Sequence, residues 1–113
     1  MTQKEKQLLL RVLCTLMPYG VKVKISRRRD PVTLSLNIMT DFYLGCSVKP
    51  YLRPMSSMTE EEKDTFQGFI FPACNDPVSM IDWLNAHHFD YRGLIEKGLA
   101  LEAQEGMYNT KIE

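Results

Sequence analysis

Two adjacent histidines, His87 and His88, are the residues here best suited to proton transfer or metal binding near neutral pH. Their spacing works against both roles. Neighbouring residues on a helix point about 100° apart, so the two rings cannot close on one metal as an i, i+4 pair can. No Cys or carboxylate ligands stand around them at zinc-like spacing. A hydrolytic dyad of either ring with Asp82 or Asp90 would lack a nucleophile motif and a glycine-rich loop. His88 falls in the apolar stripe of its expected helix, where packing and the helix C-terminal dipole account for it. The expectation is no catalytic residue, no metal site and no cofactor.

Charge offers a second kind of chemistry. Arg27, Arg28 and Arg29 sit at the tip of an expected hairpin, and Lys22 and Lys24 share the polar face of the strand leading to it. Such a cationic tip can engage phosphates and release counterions, which suits nucleic acid, or it can take an acidic protein partner. A solvated turn is the ordinary alternative. Tyr43 is the clear nearby aromatic that could stack on a base. Glu60, Glu61, Glu62 and Asp64 are acids that helix capping explains without acid–base or metal chemistry. Trp83, His87, Phe89, Tyr91 and Arg92 could anchor a protein partner, although core packing explains the same aromatics.

The elements that position these groups follow from side-chain rhythm. Thr2 and Glu5 have capping-box spacing, and Leu9, Val12, Leu13, Leu16 and Met17 then recur at helical spacing until Pro18-Tyr19-Gly20. Val21, Val23 and Ile25 alternate with Lys22, Lys24 and Ser26, predicting a strand. Val32, Leu34, Leu36 and Ile38 predict a second, and Phe42, Leu44, Cys46 and Val48 a third. Lys49 to Met58, with Pro50 and Pro54, reads as a linker. Thr59 and Glu62 form a second capping box for a short helix ending near Gly68. Asp76-Pro77 starts another helix, with Met80, Ile81, Leu84 and His88 on one face and Ser79, Asp82 and Ala86 opposite. Asp90 caps a last helix through Leu94, Ile95, Leu99 and Leu101. The tail, residues 102–113, has little periodicity and reads as mobile. The expected fold is α+β: one domain over 1–113, its N-terminal helix packed on a three-stranded antiparallel sheet, then about three short helices. Residues 1–48 hold helix and meander, 49–58 the linker and 59–101 the helical part.

Bulk composition bounds the rest. The chain is 44% hydrophobic and 25% charged, which is ordinary for a globular protein. Residues 1–53 carry ten Lys/Arg against three acids, whereas 54–113 carry four against eleven, so a net charge of zero hides a division. Packing of the two halves against each other would partly cancel their fields. Cys14, Cys46 and Cys74 are widely spaced, suggesting packed, reduced thiols in a reducing compartment. Apolar runs such as Leu8-Leu9-Leu10 are too short for a bilayer span, and the first residues lack an apolar signal region. A cytoplasmic protein with no membrane partner is the expectation.

Two segments carry a resemblance. Val48-Lys49-Pro50-Tyr51-Leu52-Arg53-Pro54-Met55-Ser56-Ser57-Met58-Thr59-Glu60-Glu61-Glu62 is one, and Asp82 through Leu101 is the other. Together they resemble a group of small uncharacterised proteins encoded by gut anaerobes, their phages and mobile elements. In that group a short helix ending in Pro-Tyr-Gly and a strand-rich middle precede the two segments. The resemblance implies a small accessory protein and carries no active-site residues; residues 22–47 match no pattern of the group. The leading functional expectation is a non-enzymatic module that binds another protein. The alternative is a nucleic-acid binder using the basic hairpin.

Overall fold

The computed structural model describes residues 2–26, 30–70, 77–104 and 106–108. Helix α1 spans Gln3–Leu16 and starts at the expected capping box: the Thr2 amide donates to Glu5 Oε1 at 2.9 Å and the Glu5 amide to Thr2 Oγ1 at 3.1 Å. Its stripe of Leu9, Val12, Leu13 and Leu16 is buried. The helix tightens into a 3-10 turn at Met17–Tyr19 and stops at Gly20, whose φ of 69° suits a residue without Cβ.

Strand β1, Lys22–Ile25, follows with Val21, Val23 and Ile25 buried as their alternation requires. It pairs antiparallel with β2, Val32–Thr33, and on its other side with β3, Val48–Leu52. Strand β4, Leu101–Glu102, adds to β3 in parallel, giving the order β2-β1-β3-β4. The sheet is therefore mixed and four-stranded, not three antiparallel strands in a meander.

The largest departure lies between β2 and β3. Leu36–Tyr43 is a helix, α2, where strands were expected. Leu34, Ile38 and Phe42 are the buried residues of this stretch, and their spacing of four is helical. Ser35, extended and accepting from the Ile38 amide at 3.5 Å, caps the start. Leu36, an inward tooth of the expected strand, faces solvent instead.

Residues 49–52, expected within a linker, form most of the central strand. Pro50 is tolerated there because pairing is divided. Val48, Lys49 and Pro50 oppose β1, whereas Tyr51 and Leu52 oppose β4. Opposite Val23, Pro50 also falls between hydrogen-bonded pairs of the antiparallel ladder, where no amide is needed toward β1.

Helix α3, Glu60–Ile70, begins at the expected second capping box, with the Thr59 amide donating to Glu62 Oε1 and the Glu62 amide to Thr59 Oγ1, and α4 covers Pro77–Ala86. The expected cap at Asp76 lies outside the described residues. The last expected helix does not form: residues 91–100 are turns. Asp90 still caps, accepting from the Leu94 and Ile95 amides at 2.8 and 3.0 Å, but Gly93 and Gly98 adopt positive φ and bend the chain back to β4. In the tail, Tyr108 is held against the sheet, and residues 109–113 lie outside the described set.

The main core joins α1, the Val23/Ile25 and Val48/Leu52 face of the sheet, Leu34, Ile38, Phe42 and the returning Leu94, Leu99 and Ala100. Met58, Leu84 and Phe89 centre a second cluster with α3 and α4. Among the described residues no helix is long and apolar enough to cross a membrane.

Candidate functional site

The opposite face of the sheet carries Lys22, Lys24, Lys49, Tyr51 and Arg53, and the described residues cover it only at the Tyr51 and Arg53 end. At the covered end Arg53 is the junction. Its backbone forms a parallel bridge with Phe89, the Arg53 amide donating to His88 O at 2.7 Å and the Asp90 amide to Arg53 O at 2.8 Å. Its guanidinium forks onto Glu62 at 2.6 and 2.8 Å, reaches His87 O at 3.3 Å, and lies 4.3 Å over the Phe89 ring. Both ionic side chains are almost fully buried, at 8% and 4% exposure. Burial alone would raise the Glu62 pKa. The hydrogen bonds from Arg53 and the Thr59 amide, with the Arg53 charge, outweigh it and hold the carboxyl below its ordinary range. Glu62, expected as a capping acid, is thus both a cap and the buried counter-ion of Arg53.

Trp83 gathers the aromatics. Its ring centroid is 4.6 Å from His87, 5.8 Å from Phe89, 6.0 Å from Phe69 and 6.2 Å from Phe66. His87 Nδ1 lies 3.0 Å from the Trp83 carbonyl oxygen. The Tyr91 hydroxyl donates to buried Asn85 at 3.0 Å, and Arg92 lies 4.3 Å over the Tyr91 ring. The structure therefore brings Trp83, His87 and Phe89 together, with Tyr91 and Arg92 stacked as a pair of their own. Phe89 is 1% exposed, so its ring belongs to packing.

His88 leaves the helical path, at φ 62°, and its ring stacks on Tyr108 with centroids 3.8 Å apart. Burial, reinforced by the positive charges of His87 and Arg53, pushes its pKa down to about 4. Its Nδ1 is buried without a hydrogen-bond partner. The Tyr108 hydroxyl accepts from the Lys22 amide at 2.8 Å and donates to the Tyr51 carbonyl at 2.7 Å, occupying the ladder position where β1 and β3 part. Burial pushes this phenol up to about 12. Asp82 accepts from the Tyr19 hydroxyl at 3.1 Å and Asp90 caps backbone amides, so each aspartate of the conceivable His–Asp dyads is engaged elsewhere. Among the described residues no group of three or more His, Cys, Asp or Glu side chains could hold a metal ion.

At the uncovered end, Lys24 stands directly opposite Lys49, and Lys22 Nζ donates to Thr33 Oγ1 at 2.7 Å. Arg27, Arg28 and Arg29 lie outside the described residues. Two ion pairs occur among the described residues, Arg53–Glu62 and Lys63–Glu60, so Arg53 is the basic residue of 1–53 that pairs with the acidic half. Glu60, Glu61 and Asp64 are exposed. Cys14 is exposed, which corrects the expectation of packed thiols; Cys46 is half-buried, both are free, and Cys74 lies outside the described residues.

One further surface includes Tyr43, expected only as an aromatic that could stack on a base, and was otherwise not expected from the sequence. Leu36, Tyr43 and Leu44 are 72%, 78% and 75% exposed, and all three project from the side of α2 turned away from Ile38 and Phe42. Beside them runs a shallow groove of about 260 Å³ between α1 and α2, lined by Gln3, Lys6, Gln7, Leu10, Phe42 and Tyr43. The usable signal was Leu34, Ile38 and Phe42 at intervals of four, which puts Leu36, Tyr43 and Leu44 on the far side. No protein-family model, curated protein or solved structure matches this chain.

Proposed function

We propose that this chain is a non-catalytic protein-interaction module whose docking surface is the exposed side of α2 with the adjoining rim of α1. The observation that carries the proposal is the cluster of Leu36 and Tyr43 on one eight-residue helix with Leu44 at its C-cap, each more than 70% exposed. Scattered single apolar residues are normal on a surface; three large ones on one helical face, beside a groove, are the pattern of an interface. Tyr43 supplies an amphipathic ring of the kind that anchors interfaces. The occupant fits as an amphipathic segment of another protein, with apolar residues for the α2 face and acidic flanks for Lys6 on the groove wall. Resemblance to small accessory proteins of gut anaerobes and their phages is in keeping with a host or phage protein as partner.

A photo-crosslinking residue replacing Tyr43 tests this directly. Crosslinking to one defined protein is expected, and that purified protein should bind the wild-type chain at least ten times more tightly than the Leu36→Ser/Tyr43→Ser/Leu44→Ser variant. Equal binding by the variant, or crosslinks that arise only from position 83, would overturn the proposal. Self-association through this face would show as a crosslinked dimer, assigning the surface to a second copy.

A nucleic-acid reading has one observation of its own: Lys24 and Lys49 face each other across the sheet with no ion pair to any described residue, and Lys24 lies three residues before Arg27 in sequence. It requires a gel shift whose affinity falls steeply with salt and is lost on replacing the three arginines by alanine.

A further inference from the structure

The uncovered end of the sheet holds a four-cornered arrangement of hydrogen-bond donors. Lys24 and Ser26 stand two residues apart at the end of β1, and Ser47 and Lys49 two residues apart at the start of β3. Lys24 opposes Lys49, and the Ser26 amide donates to Ser47 O at 3.0 Å, so each lysine and each serine faces its counterpart across the ladder. Alternation along the strands puts all four side chains on the face opposite the Val23/Ile25 core. They line a cavity of about 300 Å³ with Leu101 of β4 as an apolar wall.

Like charges directly opposite one another destabilise a strand pair unless something neutralises them. Neither Lys24 nor Lys49 forms an ion pair with any described residue. Two ammonium groups and two hydroxyls border one depression, a set of donors with a charge of +2. A carboxylate would neutralise only one of the lysines. A phosphate monoester carries nearly two negative charges at neutral pH and three terminal oxygens to accept from such a set.

We propose that this cavity binds the phosphate of a phosphate monoester, with Lys24 and Lys49 neutralising it, Ser26 and Ser47 donating to its oxygens, and Leu101 supporting the esterified group. The volume far exceeds a single phosphate and leaves space for that group. This site lies apart from α2 and does not depend on the protein-interaction reading.

Phenyl phosphate, inorganic phosphate and dimethyl phosphate are the probes, each titrated at constant ionic strength into the 15N-labelled chain. Saturable shifts of the Lys24, Ser26, Ser47 and Lys49 amides are expected, with phenyl phosphate binding at least threefold more tightly than inorganic phosphate and also shifting Leu101. Affinity should fall several-fold from pH 7.5 to 5.5 as the probe gains a proton. The Lys24→Gln/Lys49→Gln variant should lose at least tenfold in affinity while its thermal midpoint holds or rises, because the cross-strand repulsion is gone. Non-saturable shifts, or binding that survives in the double variant, would overturn the site. Equal affinity for inorganic phosphate removes the ester from the proposal, and equal affinity for the singly charged dimethyl phosphate overturns the monoester assignment in favour of nucleic-acid backbone.

Discussion

Arg53 and Glu62 illustrate how one ionic pair can fix several pieces of chain. The arginine belongs to the continuation of β3, the glutamate to the first turn of α3, and the stacked ring to the segment after α4. Removing one member strands the other charge in a buried site. Arg53→Met should therefore cost about 3–5 kcal/mol in urea denaturation. Arg53→Met/Glu62→Leu should recover much of that loss, retaining the cost of the α3 cap at about 1 kcal/mol. If the double variant were no better than the single one, the pair would not be the interaction at stake. Because the Glu62 carboxyl titrates below 4.5 in the fold, its contribution is complete above the unfolded value and disappears as pH falls through the lower folded one. His88 acts over a different window. The fold favours its neutral ring, so between about 6.5 and 4 the unfolded chain binds more protons and stability falls with falling pH. Allowing for solvent around a partly exposed ring, the loss is on the order of 1–2 kcal/mol. His88→Asn, which keeps a residue tolerant of positive φ, should flatten the denaturation midpoint between pH 6.5 and 4; an unchanged slope would assign it to other groups.

At the scale of elements, legibility depended on whether one rhythm or two fitted the residues. Helix α1 offered a single reading, with a capping box, a stripe at three- and four-residue spacing and a stop at Pro18-Tyr19-Gly20. Strand β1 and α3 read equally plainly, whereas α4 ends at Ala86, before the His88 that its expected stripe included. Leu34, Leu36 and Ile38 fit the two-residue period, yet Leu34, Ile38 and Phe42 fit the helical one, and no local propensity separates them. Packing decided it: the stretch buries three residues against α1 and the sheet while leaving Leu36 to solvent. The two rhythms predict opposite mutational patterns. As a helix, Ile38→Ala should cost about 2–4 kcal/mol and Leu36→Ala less than about 0.5; similar losses at both positions would restore the strand. Pro50 misled in another way, since the exemption that admits proline to a central strand came from how β1 and β4 divide β3 between them. The candidate sites followed the same logic. Lys24 was visible as a strand-borne cation, but its juxtaposition with Lys49 depends on a register across a helix-containing connection that no local pattern reveals.

Over the whole molecule the chain returns to its beginning. Residues 90–104 fold back through turns at Gly93 and Gly98, place β4 beside β3, and bring Tyr108 to the junction of β1 and β3. There the hydroxyl substitutes for a direct bond between the Lys22 amide and the Tyr51 carbonyl, while the ring covers His88. Pairing of the sheet thus includes a residue distant in sequence, and the basic N-terminal half is held to the acidic C-terminal half by this bridge as well as by Arg53–Glu62. Tyr108→Phe keeps the stacking on His88 but orphans one donor and one acceptor, an expected loss of about 1–3 kcal/mol. Its signature is local: amide exchange at Lys22 should accelerate by an order of magnitude or more, while amides at the centre of α1 slow or quicken only with global stability. Ending the chain at residue 104 removes ring and hydroxyl together and should cost more than Tyr108→Phe. Unchanged exchange at Lys22 in both variants would show that β1 and β3 close without the tyrosine, and that the C-terminal segment is an attachment to the sheet instead of a component of it.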